Sequence, residues 1–241
     1  MINRKIIIVL CATASFALAS CGAKVQQTNG PVRIIGEMKN VMWKGELDGN
    51  IHLDTIANKT HLYGLGPVEY LRGEILIFDG KAYRSSVLTD TAMQVEETYD
   101  LKAPFFAYAN ISHWREQALP DSVQTIPQLE QYLDKLTQSA NRPFMFKLSG
   151  TVEEALIHVV NLPEGSAVSS PEEAHQGQVD YKINDRQADI VGFFSTAHQT
   201  IFTHHDTFLH MHLITSDRKL MGHLDELVLQ KGTATIYLPV E

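Results

Sequence analysis

Apolar positions in this chain recur mostly with a period of two, the spacing of strands that bury one face. Residues 32–38 alternate in this way and predict a first strand. Gly73-Glu74-Ile75-Leu76-Ile77-Phe78, the dipeptide Asp79-Gly80 and Lys81-Ala82-Tyr83 predict a hairpin, because Asp-Gly supplies the positive φ angles of a two-residue turn. Residues 144–148 and 151–160 predict a strand pair turning around Gly150. Gly192-Phe193-Phe194 opens a further set leading into residues 208–214, and residues 232–238 predict a closing strand. Helical spacing is confined to two places. Thr125 with Gln128 three positions on reads as a capping box; Leu129, Leu133 and Leu136 then form an apolar stripe, and Asn141-Arg142-Pro143 stops it. Residues 53–58 are a shorter helical candidate ahead of Gly64. Strands dominate and helices are few and scattered, which predicts an α+β fold of mixed β-sheets.

The amino terminus has a different character. Asn3-Arg4-Lys5 is a short basic segment, and residues 6–18 form an apolar run too short to span a bilayer as a stop-transfer helix. Leu18-Ala19-Ser20-Cys21 matches a bacterial lipobox. This predicts a lipoprotein signal over residues 1–20, a lipid on Cys21, a polar tether over residues 21–30 and a folded body over residues 31–241. The expected location is the cell envelope, with the lipid as the membrane partner. Cys11 falls in the signal, so the body has no cysteine for a disulfide, a soft metal ligand or a thiol nucleophile. Composition adds one exclusion. The net charge is -8 with no basic patch, which excludes a nucleic-acid partner.

The candidate chemistry lies near the carboxyl end. His210 and His212 sit two apart in an apolar run, so they share one face of a strand, roughly 7 Å apart at Cα. Ser216-Asp217-Arg218-Lys219 predicts a turn, and His223 follows Gly222 on the returning strand. Three imidazoles from one hairpin can hold a divalent metal and leave positions open for a substrate. With 11 histidines in the chain, hydrogen-bonded core histidines are the competing reading. The adjacent His204-His205 would face opposite sides of a strand and read as loop or rim residues. There is no dinucleotide fingerprint, P-loop or Gly-x-Ser-x-Gly.

A series of segments runs in order along the chain: Gly45-Glu46-Leu47-Asp48-Gly49, Gly64-Leu65-Gly66, Leu71-Arg72-Gly73-Glu74, Asp79-Gly80-Lys81-Ala82-Tyr83, Pro104-Phe105, Lys147-Leu148-Ser149-Gly150 and Val191-Gly192-Phe193. The histidine pair, Asp217-Arg218 and Gly222-His223 complete the series. Together they resemble the alpha-acetolactate decarboxylase family. The resemblance implies that His210, His212 and His223 bind zinc, and that Glu74 is the active-site carboxylate and general acid. Manganese, iron, cobalt and nickel suit the same donors. It also implies a homodimer and a small 2-hydroxy-3-oxo acid as substrate, 2-acetolactate, decarboxylated to acetoin and carbon dioxide. Three positions depart from the family pattern. His158 stands where the family has an arginine facing the substrate, and Pro67 where its Gly-x-Gly loop continues with threonine. The chain also stops at Glu241 without the tail that brings a second glutamate to the metal. These departures keep two alternatives open: a related metal enzyme acting on another hydroxy-keto acid, and a lipoprotein that binds a metal or ligand without catalysis.

Overall fold

The computed structural model describes residues 29–137, 142–203 and 207–240. The signal, Cys21, most of the tether and His204-His205 lie outside these residues. The first half of the chain runs β1 (Arg33–Ile35), α1 (Met38–Lys44), β2 (Ile51–His52), β3 (Leu62–Pro67), β4 (Glu74–Phe78) and β5 (Lys81–Thr89). It continues through β6 (Ala92–Glu97), β7 (Lys102–Ala103), β8 (Phe106–Asn110) and β9 (Trp114–Ala118). The second half runs α2 (Ile126–Leu136), β10 (Phe144–Val159), α3 (Pro171–Ala174), β11 (Val179–Phe194), β12 (Leu209–Thr215), β13 (Met221–Leu229) and β14 (Thr235–Pro239).

One six-stranded sheet has the order β1-β8-β3-β4-β5-β6, a second has the order β11-β12-β13-β10-β14-β9, and β2 pairs with β7 in a separate two-stranded sheet. In the second sheet β10 also pairs with β11, so β10, β11, β12 and β13 close on themselves. This is the expected α+β class, with one refinement: every ladder between named strands is antiparallel. The two sheets face each other across a core that includes Leu65, Leu76 and Ala107 from the first and Met145, Val191, Phe193 and Ile214 from the second. Helix α2 buries Leu129 and Leu133 against the other side of the second sheet, and its capping box from Thr125 and Gln128 forms as expected.

Four local expectations change. Only Arg33–Ile35 of the first predicted strand is extended; Gly36 takes a φ of 66°, and Met38 opens α1, which buries Met38, Val41 and Met42. Those three positions have the i, i+3, i+4 spacing of a helix face. Residues 53–58 make only the 3₁₀ turn Leu53–Thr55, too short for the one apolar contact it buries to nucleate an α-helix. Gly150 turns nothing: β10 runs straight through it for 16 residues. A glycine is needed there because an added Cβ would lie 2.8 Å from the Ala234 backbone. Gly192-Phe193-Phe194 ends β11 and does not open a new set.

The length of β10 and β11 hides a change of phase. Phe144, Phe146, Leu148 and Val152 share one core with Ala155, Ile157 and Val159, so the buried parity switches near Glu153 and Glu154. Across the ladder Glu153 and Asp185 form the one unpaired position in an otherwise continuous register, and Asp185 has a φ of 49°. The switch puts His158 on the face opposite that core.

Candidate metal centre and active site

The site is a row of imidazoles across three strands. His212 on β12 pairs with His223 on β13, and His223 pairs with His158 on β10. Residues directly opposed in a ladder point to the same face, and the period of two brings His210 to it as well. Ring centroids are 5.2 Å apart for His210 and His212, 5.0 Å for His210 and His223, and 5.5 Å for His212 and His223. His158 stacks on His223 at 4.6 Å. Gly222 lets the strands approach: a Cβ there would lie 2.4 Å from the carbonyl oxygen of His158.

The carboxyl of Glu74 enters from the facing sheet, at the first residue of β4. Its Oε2 is 3.6 Å from Nε2 of His212 and its Oε1 is 4.0 Å from Nε2 of His158. The backbone N–H of Val160 donates to Oε1 at 3.3 Å. The loop before it is constrained, with Tyr70 and Leu71 at φ of 60° and 51°, and Pro67 sits directly across the ladder from Glu74.

Burial decides the charge states here. It pushes the Glu74 carboxyl up to about 8; His158 and the Val160 N–H pull the other way, and the charge of Asp225 adds to the rise. Glu74 is therefore largely protonated near neutral pH, the state that can donate a proton. Burial also holds His212 well below the usual imidazole range, reinforced by His210 and His158, so one of its ring nitrogens keeps a lone pair for a ligand bond. Burial pulls His158 down as well, but its hydrogen bond to Asp225 and the charges of Asp225 and Asp180, joined by that of Glu74 when ionised, outweigh it and leave the ring above its ordinary value.

These residues fit a metal. One ligand atom from each of His210, His212 and His223 lies within 4.8 Å of the others. Both nitrogens of His212 are buried without a hydrogen-bond partner among the described residues, and such an orphan costs roughly 1–3 kcal/mol unless something satisfies it. Nδ1 of His210 lies 2.7 Å from the carbonyl oxygen of Phe202; donating to it leaves Nε2 as the lone-pair nitrogen, the arrangement of ligating histidines.

The structure thus brings together every site residue expected from the sequence: Glu74, His158, His210, His212 and His223. Two neighbours carry no sequence motif. Asp225 bonds Nδ1 of His158, and His175, at the end of α3, meets the His158 ring edge-on at 5.9 Å. The only clue to Asp225 is Leu224-Asp225-Glu226-Leu227, where apolar residues fall three apart in a strand that otherwise alternates. His175 arrives on the connection between β10 and β11, which sequence spacing does not place.

The family model for alpha-acetolactate decarboxylase matches residues 36–238. The chain belongs to the alpha-acetolactate decarboxylase family. The alpha-acetolactate decarboxylase of Bacillus subtilis strain 168 is 26% identical over 213 residues, covering 87% of this chain and 80% of that one. The alpha-acetolactate decarboxylase of Streptococcus thermophilus is 25% identical over 170 residues, 70% of this chain and 69% of that one. The fold is likewise similar to the crystal structure of acetolactate decarboxylase from Bacillus subtilis subspecies spizizenii, with a TM-score of 0.73 at 22% identity over 87% of this chain and 86% of that one. A Staphylococcus aureus protein described as similar to alpha-acetolactate decarboxylase has a TM-score of 0.70 at 18% identity, over 87% and 86% of the two chains. Members of this family are carboxy-lyases, and the match spans both sheets and all five site residues.

Proposed function

We propose that this protein decarboxylates 2-acetolactate to acetoin and carbon dioxide, using a divalent metal, with zinc best suited, held by His210, His212 and His223. The observation that carries this reading is the buried carboxyl of Glu74 facing the imidazole triad from the opposite sheet, where burial favours its protonated form. The bound metal would supply Lewis-acid stabilisation for the negative charge that develops on substrate oxygen.

The chain's own residues do the rest. His158, whose charged form the hydrogen bond to Asp225 favours, directs Nε2 toward Glu74 and takes the substrate carboxylate. When the bond to that carboxylate breaks, carbon dioxide leaves and the electron pair moves onto the neighbouring ketone, giving an enediolate. Glu74 then delivers its proton to the carbon, which yields acetoin; one proton is taken up per turnover. The sheets exclude water: Glu74 is 3% exposed and His212 is fully buried, so proton transfer occurs in preorganised, low-dielectric surroundings.

The full chain, purified with known metal content, should form acetoin, lose that activity on chelation and recover it with zinc. A folded, metal-loaded protein that forms none would reject the reaction. His158 in the arginine position favours one second reading, a related 2-hydroxy-3-oxo acid as substrate. An imidazole lacks the bidentate fork of an arginine for carboxylate. Release of carbon dioxide from such acids, measured beside acetolactate, separates the two readings.

We further propose that Cys21 carries a lipid that anchors the body to an envelope membrane; the support is the basic, apolar and lipobox order of residues 3–21. No described helix is long and apolar enough to cross a membrane. Mass spectrometry of membrane-extracted protein should show a diacyl or triacyl cysteine at the mature start. An unmodified amino terminus beyond Cys21 would reject the anchor. A homodimer belongs to the same proposal and is tested by the mass in solution.

A further inference from the structure

Strand β13 breaks its own ladder beside the site. Leu156 pairs with Glu226 and Ile157 with Leu224, so Asp225 is an extra residue without a partner on β10. Leu224, Leu227 and Leu229 nevertheless pack in the same core, so the alternation slips by one between 224 and 227. A bulge of this kind re-aims a side chain. Here it turns the Asp225 carboxylate onto His158, with Oδ2 at 2.7 Å and Oδ1 at 2.9 Å from Nδ1.

The orientation of the His158 ring needs such a partner. The outer torsion of a histidine is broad and nearly two-fold, so ring flips exchange Nδ1 with a carbon at little intrinsic cost. Stacking on His223 and the edge contact with His175 fix the ring plane but do not choose between the flips. A hydrogen bond does choose. With Nδ1–H donated to Asp225, the other nitrogen, Nε2, is the one that faces Glu74, at 4.0 Å.

We propose that Asp225 is a positioning residue: through the β13 bulge it selects the ring flip of His158 that presents Nε2–H to the substrate. This rests on the reading of His158 as the carboxylate contact. The role parallels that of a carboxylate that orients a catalytic imidazole. An arginine at position 158 would not need it, because a guanidinium offers donors around its whole fork.

The experiment measures kcat, KM, metal content and imidazole proton spectra for Asp225→Ala and Asp225→Asn, each in the wild type and in His158→Arg. In the wild-type background Asp225→Ala should lower kcat/KM on the order of tenfold or more with metal content unchanged. The same exchange in His158→Arg should cost several-fold less. A hydrogen-bonded Nδ1–H resonance of His158, present in the wild type, should be missing in Asp225→Ala. Asp225→Asn, nearly isosteric, serves the same comparison if the alanine variant does not fold. Equal losses in both backgrounds, or a Nδ1–H resonance that survives Asp225→Ala, would overturn the proposal. A wild type that makes no acetoin would reject the decarboxylase reading instead, and the proton resonance would still decide the role of Asp225.

Discussion

Glu74→Gln should lower acetoin turnover by about 10²- to 10⁴-fold while the protein keeps its metal, the usual magnitude for a general acid. Glutamine has the shape of the carboxyl and its amide oxygen can still accept from the Val160 N–H, so the fold and the triad behind it are retained. What it lacks is a transferable proton. The physical setting makes this substitution informative, because burial raises the Glu74 carboxyl to about 8 and stores the proton that the reaction consumes. The same shift has a sign in stability. A carboxyl that titrates near 8 when folded and at its ordinary value of 4.5 when unfolded favours the unfolded chain as pH rises through that window. The metal-free protein should therefore lose stability from about pH 5 to about pH 8, and Glu74→Gln should lose less. Turnover within threefold of wild type at equal metal content would remove Glu74 from the chemistry.

Removing the metal should lower the melting temperature as well as the activity. A ligand present at about a thousand times its dissociation constant adds roughly 4 kcal/mol to stability. For a body of this size each kcal/mol shifts the melting temperature by about 2–4 °C, so chelation should cost on the order of 10 °C. The double variant His210→Ala/His212→Ala should contain no stoichiometric metal, and its melting temperature should not respond to chelator. The reason lies in His212, whose two buried nitrogens find no hydrogen-bond partner among the described residues and whose neutral state burial enforces. Elemental analysis beside thermal melts reads both effects. Equal metal content in wild type and double variant would place the ion elsewhere.

Local chemistry was legible wherever it repeats with a short period. His210 and His212 share a face because a strand alternates, and Asp79-Gly80 makes its turn because only residues tolerant of positive φ fit there, at 47° and 79°. The capping box at Thr125 was readable for the same reason: its two partners are three residues apart. The lipobox, outside the described residues, is a property of sequence alone. The end of the strand expected over residues 32–38 misled because Met38 continues the apolar alternation, and only packing of Met38, Val41 and Met42 against the α3 side of the body makes it the start of a helix. Residues 144–160 misled because Gly150 marks a close approach to Ala234, a contact across more than eighty positions that no local pattern records.

What the tertiary structure alone decided is which distant residues meet. Glu74 and His212 come from opposite sheets, and their 3.6 Å approach depends on how the two faces pack. His158 reaches the triad because the buried parity of β10 switches at Glu153, opposite Asp185, and because β10 pairs with β13. Asp225 reaches His158 because β13 carries one residue more than its ladder can pair. Sequence sets the identity and spacing of groups along a strand. Register, bulges and sheet packing set their distances across strands, and the acid, the imidazoles and their partner depend on those distances.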